Sequence, residues 1–250
     1  HLNGRLVSQG RDHGPNIGTA RYTLRIYSEP DQGMYDAVNQ GFRRASGDFL
    51  AFLNADDQYL ENSLSDVACF FSNHPRIDMV FGDALIVGQQ GEYLCTRIVS
   101  KPTRLVTGLH TLSIFTAATF FRRALLAEHN LYFDAGWKVI GDAIWILAHL
   151  RAGTRMGLIG KPLAAATETG ENMILSPLAR QESARLRRLH PKFIRLFKHF
   201  IVVHYRLRRW LQGAYFPKSC NYAIYTGDNL RQRACFTAGK ATHRLKGRFG

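Results

Sequence analysis

The sequence predicts an α/β fold in which helices flank a mostly parallel sheet. Two observations support this class. Short apolar runs of strand length recur between residues 22 and 159, and segments with apolar residues every three to four positions separate them. Helical segments of this length can connect neighbouring parallel strands as crossovers. Alternating strands and helices along one chain are typical of α/β domains.

The predicted elements follow in chain order. Residues 22–27 form the first strand, and residues 34–45 form a helix whose apolar side chains share one face. Residues 49–53 are apolar throughout, which is typical of a strand buried on both faces. The later elements are a helix over 60–72, strands over 77–81, 92–99 and 117–121, a helix over 142–152, and a strand over 155–159 that ends at Gly160 and Pro162.

The charge of the chain is concentrated in its last third. The formal net charge is +14 over 250 residues. Residues 1–175 contain 16 Lys and Arg against 17 Asp and Glu, whereas residues 176–250 contain 17 against 2. We therefore expect three parts: a polar, glycine-rich remnant over 1–20, a near-neutral α/β domain over 21–175, and a basic amphipathic helical tail over 176–250.

The tail has helical periodicity over residues 178–215, interrupted at Pro191. Apolar side chains recur on one face and Lys and Arg side chains occupy the others, which predicts a pair of basic amphipathic helices. Two interpretations stay open: an interfacial anchor on an anionic membrane, and helices packed on the core with a solvated basic face. Nucleic acid is the less favoured partner, because aromatic interleaving is sparse and no nucleic-acid-binding motif is present.

Cysteine spacing and hydropathy favour a cytoplasmic protein. The four cysteines lack the paired spacing of a zinc site or a disulfide framework. The longest apolar stretches are shorter than the roughly 20 residues that span a bilayer. Residues 1–18 have no apolar core of the kind found in a signal peptide. We therefore expect a cytoplasmic location, peripheral at the inner face of the membrane through the basic tail.

Two adjacent carboxylates are the most informative chemical feature. Asp56 and Asp57 follow the buried strand over 49–53, and ligands of open α/β sheets bind beyond the carboxyl ends of strands. Adjacent carboxylates repel each other unless a cation lies between them. Mg²⁺ or Mn²⁺ would supply that charge together with a phosphate-bearing ligand. The alternative is a turn that caps the helix near residue 60.

Several segments closely resemble the family-two glycosyltransferases of the GT-A fold. Residues 28–41 (SEPDQGMYDAVNQG), 45–48 (ASGD) and 52–57 (FLNADD) are similar to that family's D-x-G-x-Y-D-A-x-N-x-G segment and to the strand that ends in L-N-x-D-D. Further along, the similar segments are 80–83 (VFGD), 119–123 (TFFRR), 133–134 (FD) and 140–145 (IGDAIW), with His110 near the position of a frequently seen histidine.

This resemblance implies a GT-A fold and a hexosyltransferase activity of cell-wall or polysaccharide biosynthesis. A sugar would pass from a nucleoside-diphosphate donor to a glycan or lipid-linked acceptor, with inversion and with Mg²⁺ or Mn²⁺ as cofactor. Asp56 and Asp57 would hold the metal, and Asp142 would deprotonate the acceptor hydroxyl. His110 would lie near the diphosphate. The residues implied to bind the nucleotide sugar are Asp31, Tyr35, Asn39 and Asp56.

For some of these residues a structural role is the alternative. Asp142 could cap the helix over 142–152, Asp31 could close a turn, and Asn39 could face a neighbouring helix.

The family's first β-α-β unit has no counterpart in the sequence, because only 27 residues precede Ser28. We therefore expect an N-terminally incomplete domain with an uncovered sheet edge. The alternative function is an inactive or truncated relative that binds an anionic membrane or nucleic acid through its basic tail.

Overall fold

The computed structural model describes residues 5–10, 23–168, 173 and 176–239. Its strands are β1 (Arg5–Gly10), β2 (Leu24–Ser28), β3 (Phe49–Leu50), β4 (Asp57–Tyr59), β5 (Met79–Val87), β6 (Tyr93–Arg97), β7 (Thr119–Arg122), β8 (Met156–Thr167), β9 (Cys220–Thr226) and β10 (Asn229–Ala238). Its helices are α1 (Met34–Arg44), α2 (Ser63–Asn73), α3 (Arg104–Leu109), α4 (Ala124–His129), α5 (Gly141–Ala152), α6 (Pro177–Arg188), α7 (Lys192–Leu196) and α8 (Lys198–Leu211), with a 3₁₀ turn over Thr116–Ala118.

A six-stranded sheet forms the centre of the protein, in the order β3-β7-β5-β8-β4 with β6 also paired to β5. The α/β class is confirmed, but the expected mostly parallel sheet is wrong. Among the described strands β5 and β8 form the only parallel pair, and the other pairs within this sheet are antiparallel. A buried apolar run has the same pattern whichever way its strand runs, so periodicity did not specify strand direction.

Helices cover both faces of this sheet. Successive residues of β5 point to opposite sides: Met79 and Phe81 join α1 and α5 in one apolar cluster, whereas Val80 packs with α2 in another. All nine residues of β5 are buried. Trp145 of α5 fills the first cluster, where it contacts the ring of Phe121. The layers are therefore helix, sheet and helix, with β5 at the centre.

Two strand boundaries differ from the expected ones. The strand predicted over residues 49–53 ends at Leu50, and a second short strand, β4, begins at Asp57. The strand predicted to end at Gly160 and Pro162 continues as β8 to Thr167. The register of β8 against β5 shifts on both sides of the pair between Asp83 and Pro162. A bulge of this kind admits a proline, which lacks an N–H group, within a long strand.

Replacing Gly82 of β5 with alanine should destabilise the fold, because β8 packs directly on this glycine. A Cβ atom there would lie 2.3 Å from the Cγ and Cδ1 atoms of Leu163, which is fully buried. We expect a loss of about 1–3 kcal/mol in unfolding free energy, measured by denaturant titration. Gly160→Ala is the matched control, since a Cβ atom at that position of β8 meets no atom within 4 Å. Equal effects of the two substitutions would contradict this packing.

The last part of the chain is only partly helical. Helices α6, α7 and α8 agree with the periodicity of residues 178–215, with a break at Pro191. The expectation of a helical tail is wrong over Cys220–Ala238, where β9 and β10 form an antiparallel hairpin. Tyr222 and Ile224 of this hairpin pack against Leu85 and Val87 of β5. The alternation of buried positions at Tyr222 and Ile224 has the period of two that is typical of a strand, and the basic composition of the tail does not reveal it.

Part of the N-terminal segment predicted over residues 1–20 forms a strand. Strand β1 pairs antiparallel with β2, whose five residues are all exposed. The rest of the predicted 1–20 segment, residue 22 and residues 240–250 of the predicted tail lie outside the described residues. The division into three domains stays a prediction. None of the described helices combines the length and hydropathy that a bilayer-spanning segment needs.

Candidate active site

A cavity of about 450 Å³ opens beside β4, β8 and the start of α5. Its wall includes Asp56 and Asp57 from the segment after β3, Tyr35 from α1, and Asp142 from α5. The structure therefore brings together four of the six predicted site residues, although Tyr35 and Asp142 are 107 positions apart in the chain.

Asp57 is the buried member of the acidic pair, and Asp56 is exposed. The backbone of β4 pairs with Ala164–Ala166 of β8 and so fixes Asp57 at the cavity wall. Burial, together with the negative charge of Asp56, raises the pKa of Asp57 to about 7. The side-chain amide of Asn54 donates a hydrogen bond of 2.9 Å to Asp57 Oδ2 and opposes this rise.

The acidic pair suits a divalent cation. A carboxyl group whose pKa is raised by a neighbouring carboxylate gains stability when a positive charge lies close to both groups. Within the described ranges no group of three or more His, Cys, Asp or Glu side chains could hold a metal ion. If an ion binds, Asp56 and Asp57 would hold it as the resemblance implies, and phosphate oxygens and water would complete the shell, as is usual for Mg²⁺.

Asp142 lies in the first turn of α5 and is not its N-cap, because Ile140 occupies that position, two residues earlier. Its Oδ1 accepts a hydrogen bond of 2.8 Å from the backbone N–H of Ala143. Its Oδ2 accepts one of 3.4 Å from the hydroxyl of Thr116. Burial raises the pKa of Asp142, while these hydrogen bonds and the positive charge of Arg97 oppose the rise. A carboxylate in this setting accepts a proton more readily than an ordinary aspartate.

Tyr35 holds the start of α5 in place. Its hydroxyl donates to the carbonyl of Val139 at 2.9 Å and accepts from the backbone N–H of Asp142 at 3.2 Å. Burial and the charge of Asp142 raise the pKa of Tyr35, so the phenol stays protonated and able to donate. Gly141 lets this ring approach, since a Cβ atom there would lie 2.4 Å from it.

Asp31 and Asn39 are not among the residues that line the cavity. The side chain of Asn39 is buried and pairs with the backbone of Phe133, donating to its carbonyl at 2.8 Å and accepting from its N–H at 2.9 Å. Asp31 accepts a hydrogen bond of 2.8 Å from the backbone N–H of Gly33, whose φ of 120° favours glycine. Both side chains therefore stabilise the local backbone through hydrogen bonds, and their nucleotide-binding roles stay predictions.

His110 also lies outside the cavity lining. Its ring packs edge-on against Tyr205 of α8, with 5.8 Å between the ring centroids. Burial and the charges of Arg206 and Lys198 lower the pKa of His110. The suggested diphosphate contact is therefore not supported by its position.

The cavity wall also includes two cations that were not predicted as site residues from the sequence, Arg97 of β6 and Lys138. Arg97 donates a hydrogen bond of 2.7 Å to the carbonyl of Leu112. Burial lowers the pKa of Arg97 to about 10, so it keeps its charge at neutral pH. The ammonium of Lys138 donates to the carbonyls of Gln32 and Ala135. Neither residue belongs to a motif with characteristic spacing, although Lys138 lies between the two similar segments 133–134 and 140–145.

Comparison with known proteins matches residues 20–129 to the family model described as Glycosyl transferase family 2. The match includes Asp56 and Asp57 and ends before Asp142. A PGL/p-HBAD biosynthesis glycosyltransferase of Mycobacterium bovis is 42% identical over 133 residues, which are 51% of this chain and 46% of that protein. A poly(ribitol-phosphate) beta-N-acetylglucosaminyltransferase, TarS, of Staphylococcus aureus is 28% identical over 142 residues, 54% of this chain and 24% of that protein.

Among solved structures, S. aureus TarS 1-349 in complex with UDP-GlcNAc is similar with a TM-score of 0.44 at 22% identity, covering 72% of this chain and 54% of that one. The chain thus spans about half the length, or less, of the curated relatives it matches. The match of residues 20–129 agrees with the resemblance found in the motifs. Residues 20–129 are therefore similar to glycosyl transferase family 2, and the family of the whole chain is part of the proposal below.

Proposed function

We propose that this chain transfers a sugar from a nucleoside-diphosphate donor to a hydroxyl group of a glycan or lipid-linked acceptor, with inversion and with a divalent cation. The observation that carries the proposal is the cavity that joins Asp56, Asp57 and Asp142. The cavity thus offers two carboxylates suited to a metal–diphosphate unit. It also offers a carboxylate with a raised pKa, as a general base requires.

In the proposed reaction the acceptor hydroxyl attacks the anomeric carbon of the donor sugar. The new carbon–oxygen bond forms as the bond to the diphosphate oxygen breaks, and Asp142 takes the hydroxyl proton. The leaving diphosphate keeps the bonding electron pair and gains negative charge. A cation bound at Asp56 and Asp57 would neutralise part of this charge. Arg97 and Lys138 line the same cavity, and their positive charges act in the same sense.

The names of the relatives support the acceptor class only in general terms. The mycobacterial relative is named for PGL/p-HBAD biosynthesis and the staphylococcal one for poly(ribitol-phosphate). These names agree with a glycoconjugate acceptor that is larger than a free sugar. Because this chain covers about half of the first relative or less, its own sugar and acceptor form part of the proposal.

Calorimetric titration tests donor binding directly. Mn²⁺ with UDP, GDP or TDP is titrated into the whole chain and into Asp56→Ala and Asp57→Ala variants. We expect at least one diphosphate to bind in the presence of Mn²⁺, and each variant to bind it about tenfold more weakly or worse, because a metal ligand is lost.

Asp228→Ala is the control, because this exposed carboxylate lies in the turn between β9 and β10 and not in the cavity. Binding that is equal in all variants would remove the metal from the proposal. Absence of binding by all three diphosphates would favour an inactive relative.

A further inference from the structure

Helices α7 and α8 present a continuous apolar stripe to solvent. The two helices meet at Phe197, and the N–H of Ile201 donates to the carbonyl of Phe197 at 3.1 Å, so the backbone stays nearly helical across the junction. Residues spaced three or four apart along both helices are 54–77% exposed. They are Phe193, Leu196, Phe200, Val203, Leu207 and Trp210.

The stripe is not the face with which α8 packs on the protein. Tyr205 is buried on the opposite side of the helix and contacts the ring of His110. Arg209 donates a hydrogen bond of 2.9 Å to the carbonyl of Ile98. Helix α8 is therefore apolar on two faces, and the rest of the described chain covers only one of them. A contiguous exposed apolar surface of this extent marks an interaction site.

The charge around the stripe is entirely positive. The sequence from residue 183 to residue 227 contains ten Lys and Arg residues and no Asp or Glu. At about 3.6 residues per turn, Arg208 borders the stripe on one side, and His199 and Arg206 border it on the other. All three are exposed. The surface is thus an apolar strip between basic edges.

This combination selects among possible partners. A second copy of the chain would place the same positive charges opposite each other, and like charges across an interface are unfavourable. Nucleic acid would pair with the basic edges and could stack on the aromatic rings, but it would leave the aliphatic side chains Leu196, Val203 and Leu207 without a matching surface. An anionic lipid surface offers negative headgroups to the edges and acyl chains to the stripe, as interfacial amphipathic helices require.

A second cavity extends the apolar surface. It has a volume of about 500 Å³ and lies between α3 and α8. Its wall includes Phe200 from the stripe, Leu105 and Val106 from α3, and the basic residues Arg104 and Arg208. The same side of the protein therefore combines an apolar recess with cations at its edge.

We propose that the α7–α8 stripe is an interfacial docking surface for an anionic phospholipid membrane. The apolar side chains enter the boundary between headgroups and acyl chains, and the basic residues on either side contact the headgroups. The helices lie along the surface and do not cross it. This docking does not depend on the proposed sugar transfer.

Co-sedimentation with vesicles tests the proposal. The chain is mixed with phosphatidylcholine vesicles that contain or lack phosphatidylglycerol. We expect binding only to the anionic vesicles. The double substitution Phe200→Ser with Leu207→Ser should weaken binding about tenfold or more, because two anchoring side chains are lost. Arg206→Gln with Arg208→Gln should weaken it about fivefold for each charge removed, and added salt should weaken it further.

Matched controls come from the β9–β10 hairpin. Leu230→Ser removes a side chain that is 76% exposed, and Arg231→Gln removes an exposed cation. Both controls should bind anionic vesicles as the unchanged chain does. Diphosphate binding by the stripe variants should be unaffected, which confirms their folding and separates this test from that of the proposed function.

Three outcomes would overturn the proposal. The first is equal binding to neutral and anionic vesicles. The second is an equal loss of binding in the stripe variants and the hairpin controls. The third is a dimer that the stripe variants dissociate in sedimentation velocity, without vesicle binding, because it would assign the stripe to a second copy of the chain.

Discussion

Replacing Asp142 with asparagine should slow sugar transfer by about 10²–10⁴-fold, the usual contribution of a general base. Asparagine keeps the size of the side chain, and its amide oxygen can still accept the hydrogen bond from Ala143, while its NH2 group can donate to the hydroxyl of Thr116. It cannot take the proton of the acceptor hydroxyl. Calorimetric binding of Mn²⁺ and diphosphate should be nearly unchanged, since Asp142 is not one of the proposed metal ligands. Release of nucleoside diphosphate with time measures the rate.

The pH dependence of the transfer rate gives a second test of Asp142 as the general base. Because burial raises the pKa of Asp142, the base form is lost at a higher pH than for an ordinary aspartate. Activity of the unchanged chain should therefore fall on the acid side as this carboxylate becomes protonated. At saturating Mn²⁺ and donor, which keep Asp57 deprotonated, the residual activity of Asp142→Asn should lack that fall. Asp228→Asn serves as the control for removing an exposed carboxylate. A variant at Asp142 as active as this control would exclude it as the base.

Replacing Asp57 with asparagine should stabilise the metal-free fold at high pH while abolishing Mn²⁺-dependent diphosphate binding. The pKa of Asp57 is raised from 3.8 to about 7. Between these values the unfolded chain has lost a proton that the folded chain keeps. Stability is therefore lost as pH rises through this interval, up to about 4 kcal/mol above pH 7, because each pKa unit corresponds to about 1.4 kcal/mol.

Asparagine at position 57 removes this cost and can keep the hydrogen bond from Asn54. The free energy of unfolding of Asp57→Asn, relative to the unchanged chain, should thus increase by up to about 4 kcal/mol from pH 4 to pH 8. Denaturant titration at several pH values measures it. A flat difference for Asp57→Asn would show that the folded protein does not raise the pKa of Asp57.

The same substitution separates binding from folding. A variant that is more stable at high pH and yet no longer binds Mn²⁺ with diphosphate has lost a ligand and not its structure. In the unchanged chain near pH 6, Mn²⁺ should displace the proton of Asp57. Calorimetry in buffers of different ionisation enthalpy detects this release.

Local patterns predicted the parts of the fold that depend on neighbours in the chain. Helix α1, helix α5 and the break at Pro191 agree with periodicity, because the side chains of one helix face are three or four positions apart. The end of strand β8 was not predicted correctly by local patterns. Gly160 and Pro162 predict an end, but pairing with β5 on both sides of the bulge extends the strand through them. Hydrogen bonds to a distant strand outweighed the local signal.

The candidate site shows the same division. The motifs pointed to Asp56, Asp57 and Asp142 as residues, and only the packing of α5 and β4 brings them to one cavity. Asn39 has a motif position as clear as that of Tyr35, yet it is buried against the backbone of Phe133. The direction of a side chain depends on which helix face packs on the core. For Asn39 that packing involves Phe133, which lies 94 positions away in the chain.

By itself, the sequence determined the α/β class, the resemblance to family-two glycosyltransferases, the acidic pair and the basic character of residues 183–227. These features are composition, spacing and short-range periodicity, which are properties of neighbouring residues. Tertiary structure alone decided the direction of the strands, the hairpin of Cys220–Ala238, the contribution of Arg97 and Lys138 to the cavity, and the outward direction of the α7–α8 stripe. Each of these depends on contacts between segments far apart in the chain, where burial and hydrogen bonding override local preference.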